Sequence, residues 1–535
     1  MSTTTPATSG RMPRQISYII GNEACERFSF YGMRNILVPF LISSILLAYL
    51  PEGPARDTAA KDIFHMFVIG VYFFPLLGGW LSDRYFGKYN TILWFSLIYC
   101  AGHACLALFE NNATGFYTGL FLIALGSGGI KPLVVTFCGD QFDQSNKDKA
   151  KLVFDAFYWI INFGSFFASL LAPLLLRNYG PAVAFGVPGI LMFLATFVFW
   201  LGRRHYVNVP PSSRDPHAFF EVVKSALRAE QRGAGRPGLL VAMFGIVVAV
   251  LLLLAWALSA VGVLPAAWAQ SFNFVISACL ALGVIIAAGG VGASMQLDRA
   301  RGTHPDAAVD GVRTVLRVLI VFALVTPFWS LFDQKSSTWI LQGREMVIPS
   351  WMPLQDAAQM QALNPLLVML LIPFNNLVLY PVLRAMGLSV TPLRRMGWGI
   401  AFSGVAWIAA GVLQLWIDGG EDVSLAWQSL PYLLLTFGEV LVSATALEFA
   451  YSQAPQAMKG VIMAFWYLTS TFGSLWVLLT NAAVRNEAVI GRIASTGLSE
   501  NAFLMFFFAG FAFVAALAFA AYARRYPMQD NYRAA

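Results

Sequence analysis

The sequence is poor in charge, histidine and cysteine. Only 12% of its 535 residues are charged, whereas soluble domains average about 25%. A soluble chain of this length has to cover several cores with charged side chains, so an ordinary soluble enzyme is excluded. The five cysteines lie in apolar stretches without CxxC spacing, which excludes a disulfide scaffold and a thiolate metal site. Five scattered histidines, with no HExxH or Ser/His/Asp pattern, predict no enzyme and no metal or cofactor.

What the chain has instead is a series of long apolar stretches. A membrane-spanning helix needs about 20 apolar residues, and lipid permits only helices or closed barrels. The stretches lack the alternation of barrel strands. The sequence therefore predicts an all-α integral membrane protein with fourteen transmembrane helices. The predicted spans are 15–50, 61–82, 89–109, 116–138, 152–176, 181–201, 238–262, 267–297, 312–338, 361–383, 395–416, 430–452, 457–482 and 500–523.

The basic residues lie mostly on one side of these spans. With the N-terminus in the cytoplasm, cytoplasmic segments hold 23 Lys and Arg and outer loops hold six, a bias that predicts both termini inside. The net charge of +7 is therefore attributed to topology, and no nucleic-acid partner is expected. The predicted parts are a tail (1–14), a six-helix bundle (15–201), a basic linker (202–237), an extra hairpin (238–297), a second linker (298–311), a second six-helix bundle (312–523) and a tail (524–535).

Three charged residues lie close together in the first predicted span. Glu23 is three residues before Glu26 and four before Arg27, so the three share one helix face. Counted from Gln15 at about 1.5 Å per residue, Arg27 lies roughly 18 Å deep, near the midplane. A charge there costs at least about 2.5 kcal/mol, so we expect pairing beside a polar cavity. A purely structural salt-bridge cluster is the alternative.

Several motifs resemble those of known transporters. The loop Gly79–Lys88 resembles the G-x-L-x-D-R-x-x-G-[RK] motif of the major facilitator superfamily. The first span, with Glu23, Glu26, Arg27, Tyr31 and Gly32, is similar to the first-helix signature of the proton-dependent oligopeptide transporter (POT) family. Further matches follow in order at 126–132, 137–142, 157–165, 328–334 and 438–455.

The resemblance implies a fold and a function. The fold is that of the major facilitators, two six-helix bundles, with an extra two-helix hairpin as in bacterial POT members. The function is proton-coupled import of di- and tripeptides by alternating access across the plasma membrane. The expected partners are small peptides, protons and the lipid bilayer, and the protein is expected to be a monomer driven by the proton gradient alone. The alternative is a related carrier of another small anion, such as nitrate.

A peptide is a zwitterion, which suggests where its two ends bind. The mid-depth cations Arg27 and Lys131 suit the carboxylate, and Glu439 suits the ammonium group. The resemblance implies the same roles and adds more substrate-binding residues: Tyr31, Tyr72, Asn162, Trp329, Asn364, Ser443 and Trp466. The alternative is that the asparagines are interhelical hydrogen-bonding residues and the tryptophans are packing residues. Phe30 stands where the family usually has a tyrosine, so one pocket hydroxyl is missing, although the aromatic wall is expected to remain.

Proton coupling needs a group whose protonation depends on conformation. Glu23 and Glu26 compete with the peptide carboxylate for the cations, so protonating one of them frees Arg27. His65 resembles a histidine of animal family members, although it can equally be an interface histidine. Arg34 and Asp333 lie at similar predicted depths in the outer half of their spans. They are expected to pair as an outer gate, which protonation of Asp333 weakens.

Overall fold

The computed structural model describes residues 12–142, 150–211, 215–230, 235–264, 272–388, 390–453 and 458–528. Within these ranges the chain is helical, and its β-pairing is limited to two isolated bridges. The helices are α1 (Ile16–Phe40), α2 (Pro54–Leu81), α3 (Gly87–Leu108), α4 (Ala113–Gly139), α5 (Ala150–Tyr179), α6 (Pro181–Leu201), α7 (Phe219–Arg228), α8 (Pro237–Ala260), α9 (Phe274–Gln296), α10 (Asp306–Asp333), α11 (Thr338–Arg344), α12 (Leu363–Phe374), α13 (Tyr380–Ala385), α14 (Pro392–Asp418), α15 (Ser429–Gln453), α16 (Lys459–Ala483), α17 (Glu487–Ala494) and α18 (Glu500–Ala523).

Within the described residues, the predicted membrane spans fall on long apolar helices; residues 267–271 and residue 457 of two predicted spans lie outside the described ranges. Over the described residues, thirteen helical stretches are long and apolar enough to cross a membrane. One of them, Pro54–Leu108, contains both α2 and α3, which a π-helical turn at Ser82–Phe86 separates. This one stretch therefore accounts for two of the predicted spans. The all-α membrane fold is confirmed.

Proline and glycine set several helix boundaries. α2 and α6 begin with Pro54 and Pro181, each preceded by a glycine with positive φ, because proline fits the first turn of a helix. α2 thus begins seven residues before the predicted span at 61. Arg56 and Lys61, two of the six basic residues counted on the outer side, are buried in this helix.

One compact unit consists of Met1–Ser213, Lys335–Val378 and Asp422–Thr436. In it α1 packs against α5 and α6, and α4 packs against α2 and α3. The approach of α3 to α4 depends on glycine, since a Cβ on Gly102 would lie 2.8 Å from the carbonyl oxygen of Gly119. Asn35 of α1 donates to Ser169 of α5 at 2.6 Å.

The second unit consists of Arg214–Gln334, Leu379–Glu421 and Phe437–Ala535. α8 and α9 of the hairpin pack closely. A Cβ on Gly238 would collide with the carbonyl oxygen of Gly292, so the approach requires glycine at this position. Most of its apolar surface is exposed, as a lipid-facing hairpin requires. In the same unit α10 packs against α16, and α14 packs against α18.

The basic linker contains a helix that the sequence analysis missed. α7 buries Phe219, Val222 and Ala226, which lie on one helix face. Gln296 of α9 donates to the carbonyl oxygens of Ala226 and Leu227, both at 2.8 Å. These bonds dock α7 against the end of the hairpin.

Candidate functional site

Glu23, Glu26 and Arg27 lie together on α1. Nε of Arg27 donates a hydrogen bond to Oε1 of Glu23 at 2.6 Å and lies 3.0 Å from Oε2 of Glu26. Both carboxylates are fully buried, and Arg27 is 9% exposed. Among the described residues, one oxygen of Glu23 and both oxygens of Glu26 have no hydrogen-bond partner. Two buried carboxylates thus share one guanidinium group, which favours the uptake of a further positive charge.

Lys131 of α4 supplies a positive charge on the same side of α1. Its ammonium nitrogen lies 3.6 Å from the ring centroid of Phe30 and 4.8 Å from that of Tyr72 on α2. Phe30 follows Arg27 by three residues, so Lys131 contacts α1 one turn from Arg27. Aromatic faces attract cations, and the attraction grows when water is excluded. Phe30 therefore positions Lys131 without the hydroxyl that tyrosine would provide.

Tyr31 extends this aromatic wall. Its ring packs edge-on against that of Phe30, with centroids 5.4 Å apart. The structure therefore brings Tyr31, Tyr72, Arg27 and Lys131 to one region of the first unit.

The two predicted asparagines make hydrogen bonds inside the protein. Asn162 donates to the carbonyl oxygen of Tyr158, one turn earlier in α5, at 2.9 Å. Asn364, at the start of α12, accepts from Nζ of Lys335 at 3.0 Å and donates to Oγ1 of Thr436 at 3.0 Å. The amide oxygen of Asn364 therefore already accepts a hydrogen bond from an ammonium group.

The predicted gate and histidine residues are all buried. His65 of α2 is fully buried and shares a hydrogen bond of 3.2 Å with Oγ of Ser337. The guanidinium carbon of Arg34 lies 5.4 Å from the ring centroid of Phe64. In the second unit, Asp333 ends α10 and accepts a hydrogen bond from Ser470 of α16 at 3.0 Å.

The second unit also holds the predicted tryptophans. The rings of Trp329 and Trp466 lie edge to face, with centroids 5.9 Å apart. Gly473 allows this contact, since a Cβ there would lie 2.5 Å from Cβ of Trp329. Ser443 follows Glu439 by four residues on α15, so the two share a helix face.

One ion pair links motifs that lie far apart in the sequence. Lys88, the last residue of the loop motif, pairs with Asp140 at the end of α4 at 2.6 Å. Gly87 begins α3 with φ of 73°, a conformation that favours glycine and explains the motif's second glycine. Lys335 is a further buried cation that the sequence analysis did not single out. A lysine inside a predicted span was the available signal.

No group of three or more His, Cys, Asp or Glu side chains is arranged to hold a metal ion within the ranges that the structure covers.

The comparisons with known proteins decide the family. A model of the POT family matches residues 89–493. The chain belongs to the POT family. It is thus a multi-pass membrane protein of a transporter family, and the predictions of family, fold and a non-enzymatic role are confirmed.

Solved POT structures match nearly the whole chain. An auto-inhibited POT family peptide transporter is 66% identical with a TM-score of 0.92, covering 98% of this chain and 99% of that chain. The POT family transporter PepTSo is 62% identical with a TM-score of 0.92, covering 98% and 100%.

Curated relatives are more distant. Peptide transporter 3 of Caenorhabditis elegans is 32% identical over 76% of this chain and 51% of its own length. Solute carrier family 15 member 2 of Homo sapiens is 30% identical over 76% of this chain and 49% of its own length. The chain therefore spans about half the length of these relatives.

Proposed function

We propose that the protein is a proton-coupled symporter that imports di- and tripeptides across the plasma membrane by alternating access. The observation that carries the proposal is the buried cluster on α1, where Glu23 and Glu26 share Arg27 and Lys131 is held one turn away. Family membership and the peptide transporters among its relatives support the substrate class.

The cluster can exchange a carboxylate of the protein for one of the substrate. While Glu23 and Glu26 are ionised, both lie within salt-bridge distance of Arg27. Protonation of Glu26 removes one of these attractions, and the guanidinium group can then bind the peptide carboxylate in its bidentate geometry. Lys131 is the second cation for that carboxylate. Peptide binding and proton binding thus favour each other at the same cluster.

Glu439 binds the ammonium end of the peptide, and Asn364 is a further acceptor for it. The geometry at Asn364 supports this role, since its oxygen accepts from the ammonium group of Lys335. The other proposed substrate-binding residues are Tyr31, Tyr72, Asn162, Trp329, Ser443 and Trp466.

Arg34 and Asp333 close the outer side as a pair, and protonation of Asp333 weakens it. His65 is a second candidate for handling the proton. The bundles are 15–201 and 312–523, both termini are cytoplasmic, and the protein works as a monomer without a cofactor. A reporter fused after Ala535 that is active only in the cytoplasm tests the topology.

Uptake into proteoliposomes tests the substrate and the driving force together. The purified protein is reconstituted, and uptake of a labelled dipeptide is measured with and without an imposed inward proton gradient, beside labelled nitrate. We expect the gradient to drive the dipeptide above its external concentration and to leave nitrate unaffected. Gradient-driven nitrate uptake without dipeptide uptake would establish the alternative function.

A further inference from the structure

A cavity at the end of α18 has no part in the proposed transport chemistry. Its volume is about 410 Å³, and its lining residues are Ala521, Tyr522, Arg524 and Arg525. The hydroxyl of Tyr522 donates to the carbonyl oxygen of Arg317 on α10 at 3.2 Å. This bond fixes the end of α18 against α10. The cavity thus combines an apolar wall with two guanidinium groups.

These two arginines have no carboxylate partner in the part of the chain that the structure describes. Arg301, in the segment before α10, differs, because Asp298, Asp306 and Asp310 contact it at 2.9, 3.0 and 2.6 Å. The protein therefore neutralises one basic site with its own carboxylates. At the end of α18 it leaves two positive charges for an anion from outside.

Further arginines lie at the same end of the neighbouring helix. α14 and α18 run antiparallel, since Gly411, Gly404 and Gly397 of α14 face Phe506, Phe513 and Phe519 of α18 in that order. Residues before Gly397 therefore lie at the level of residues after Phe519. Arg394 and Arg395 begin α14 there, and the guanidinium carbon of Arg395 lies 4.9 Å from the ring centroid of Tyr380.

An exposed apolar track leads along α18 to the cavity. Val514, Leu517 and Ala521 are spaced by three and four residues, so they share one face, and all three are exposed. In a membrane this face contacts acyl chains. A free phosphate ion has no apolar part that could contact this face, whereas a phospholipid has both an anionic group and acyl chains.

We propose that the cavity is a binding site for an anionic phospholipid of the cytoplasmic leaflet. Its phosphate contacts Arg524 and Arg525, because guanidinium groups bind phosphate oxygens in a bidentate geometry. Arg394 and Arg395 add positive charge at the rim. One acyl chain lies along Val514, Leu517 and Ala521. The cytoplasmic leaflet follows from the proposed topology, in which this end of α18 faces the cytoplasm.

Native mass spectrometry of the full chain tests the site. The protein is released from detergent micelles with phosphatidylglycerol, or with phosphatidylcholine of the same acyl chains, and the lipid-bound fraction is titrated. The test variant is Arg524→Gln/Arg525→Gln. The control Arg485→Gln/Arg492→Gln removes the same charge at the other predicted membrane face. Arg524→Lys/Arg525→Lys keeps the charge, and size-exclusion chromatography confirms that each variant folds.

We expect phosphatidylglycerol to bind the wild type and the control equally and more tightly than phosphatidylcholine. Its affinity should fall about thirtyfold in the double glutamine variant, since each arginine near an anionic headgroup contributes roughly 1 kcal/mol and the two together contribute roughly 2 kcal/mol. The lysine variant should retain most of the affinity. Equal phosphatidylglycerol binding by the glutamine variant would overturn the proposal. Displacement of the lipid by millimolar inorganic phosphate would show that the site takes a free anion instead.

Discussion

Removing the charge of Glu26 is the sharpest test of the coupling cluster. In the variant Glu26→Gln the side chain keeps its shape but always resembles the protonated acid. The Arg27–Glu26 separation of 3.0 Å corresponds to about 5 kcal/mol of gross attraction at an effective dielectric constant of roughly 20. Burial lowers the net free energy of this attraction. We therefore use the contribution of a hydrogen bond to a charged group, which is about 1.5–3 kcal/mol.

We therefore expect the variant to bind a dipeptide roughly ten to a hundred times more tightly than the wild type at a pH where Glu26 is ionised. Its peptide affinity should lose much of its pH dependence, and gradient-driven accumulation should be lost while peptide counterflow remains. Binding is measured by isothermal titration calorimetry, and accumulation and counterflow are measured in proteoliposomes.

The chain offers a matched control for this variant. Glu230 and Arg236 are also 3.0 Å apart, but the Glu230 side chain is 72% exposed, so water screens the pair. Glu230→Gln should leave affinity and transport unchanged. Wild-type accumulation by the Glu26→Gln protein would refute the proposed role of Glu26 and leave Glu23, His65 or Asp333 to carry the proton.

Three further variants test other parts of the structure. Lys131→Ala should abolish proton-driven dipeptide uptake in a protein that still inserts, and an amidated dipeptide should be a poor substrate for the wild type; equal uptake of the amide and the free acid would disprove the carboxylate site. Asp333→Asn should lose accumulation but keep counterflow, since the residues proposed to bind peptide are unchanged; retained accumulation would show that Asp333 carries no coupling proton. Gly102→Ala places a Cβ 2.8 Å from the carbonyl oxygen of Gly119, so overpacking should destabilise the protein by about 1–3 kcal/mol and lower its melting temperature; an unchanged melting temperature would contradict the close α3–α4 contact.

Local spacing in the sequence predicted the parts of the site that lie on one helix. Glu23, Glu26 and Arg27 meet because residues three and four apart share a helix face. The contact between Lys131 and Phe30 joins α4 to α1 and depends on tertiary packing, which spacing within one helix does not specify. The sequence analysis accordingly expected Phe30 to keep the aromatic wall without a hydroxyl, but it did not predict that the ring contacts Lys131.

The sequence analysis missed two other features, each for a physical reason. Arg56 and Lys61 resemble loop residues because they are charged, yet packing buries both of them in α2. α7 has only ten residues in a basic linker, so no long apolar run marked it. Its apolar residues do share one face, and this periodicity was the signal available.

If peptide and protons cross the membrane together, a peptide gradient alone should drive protons across it. Proteoliposomes are loaded with a pH-sensitive dye, and a dipeptide is added outside at equal internal and external pH, with the membrane potential clamped. We expect the interior to acidify as labelled peptide enters, and Glu26→Gln to abolish the acidification. Peptide entry without any change in internal pH would show that the protein does not carry protons with peptide.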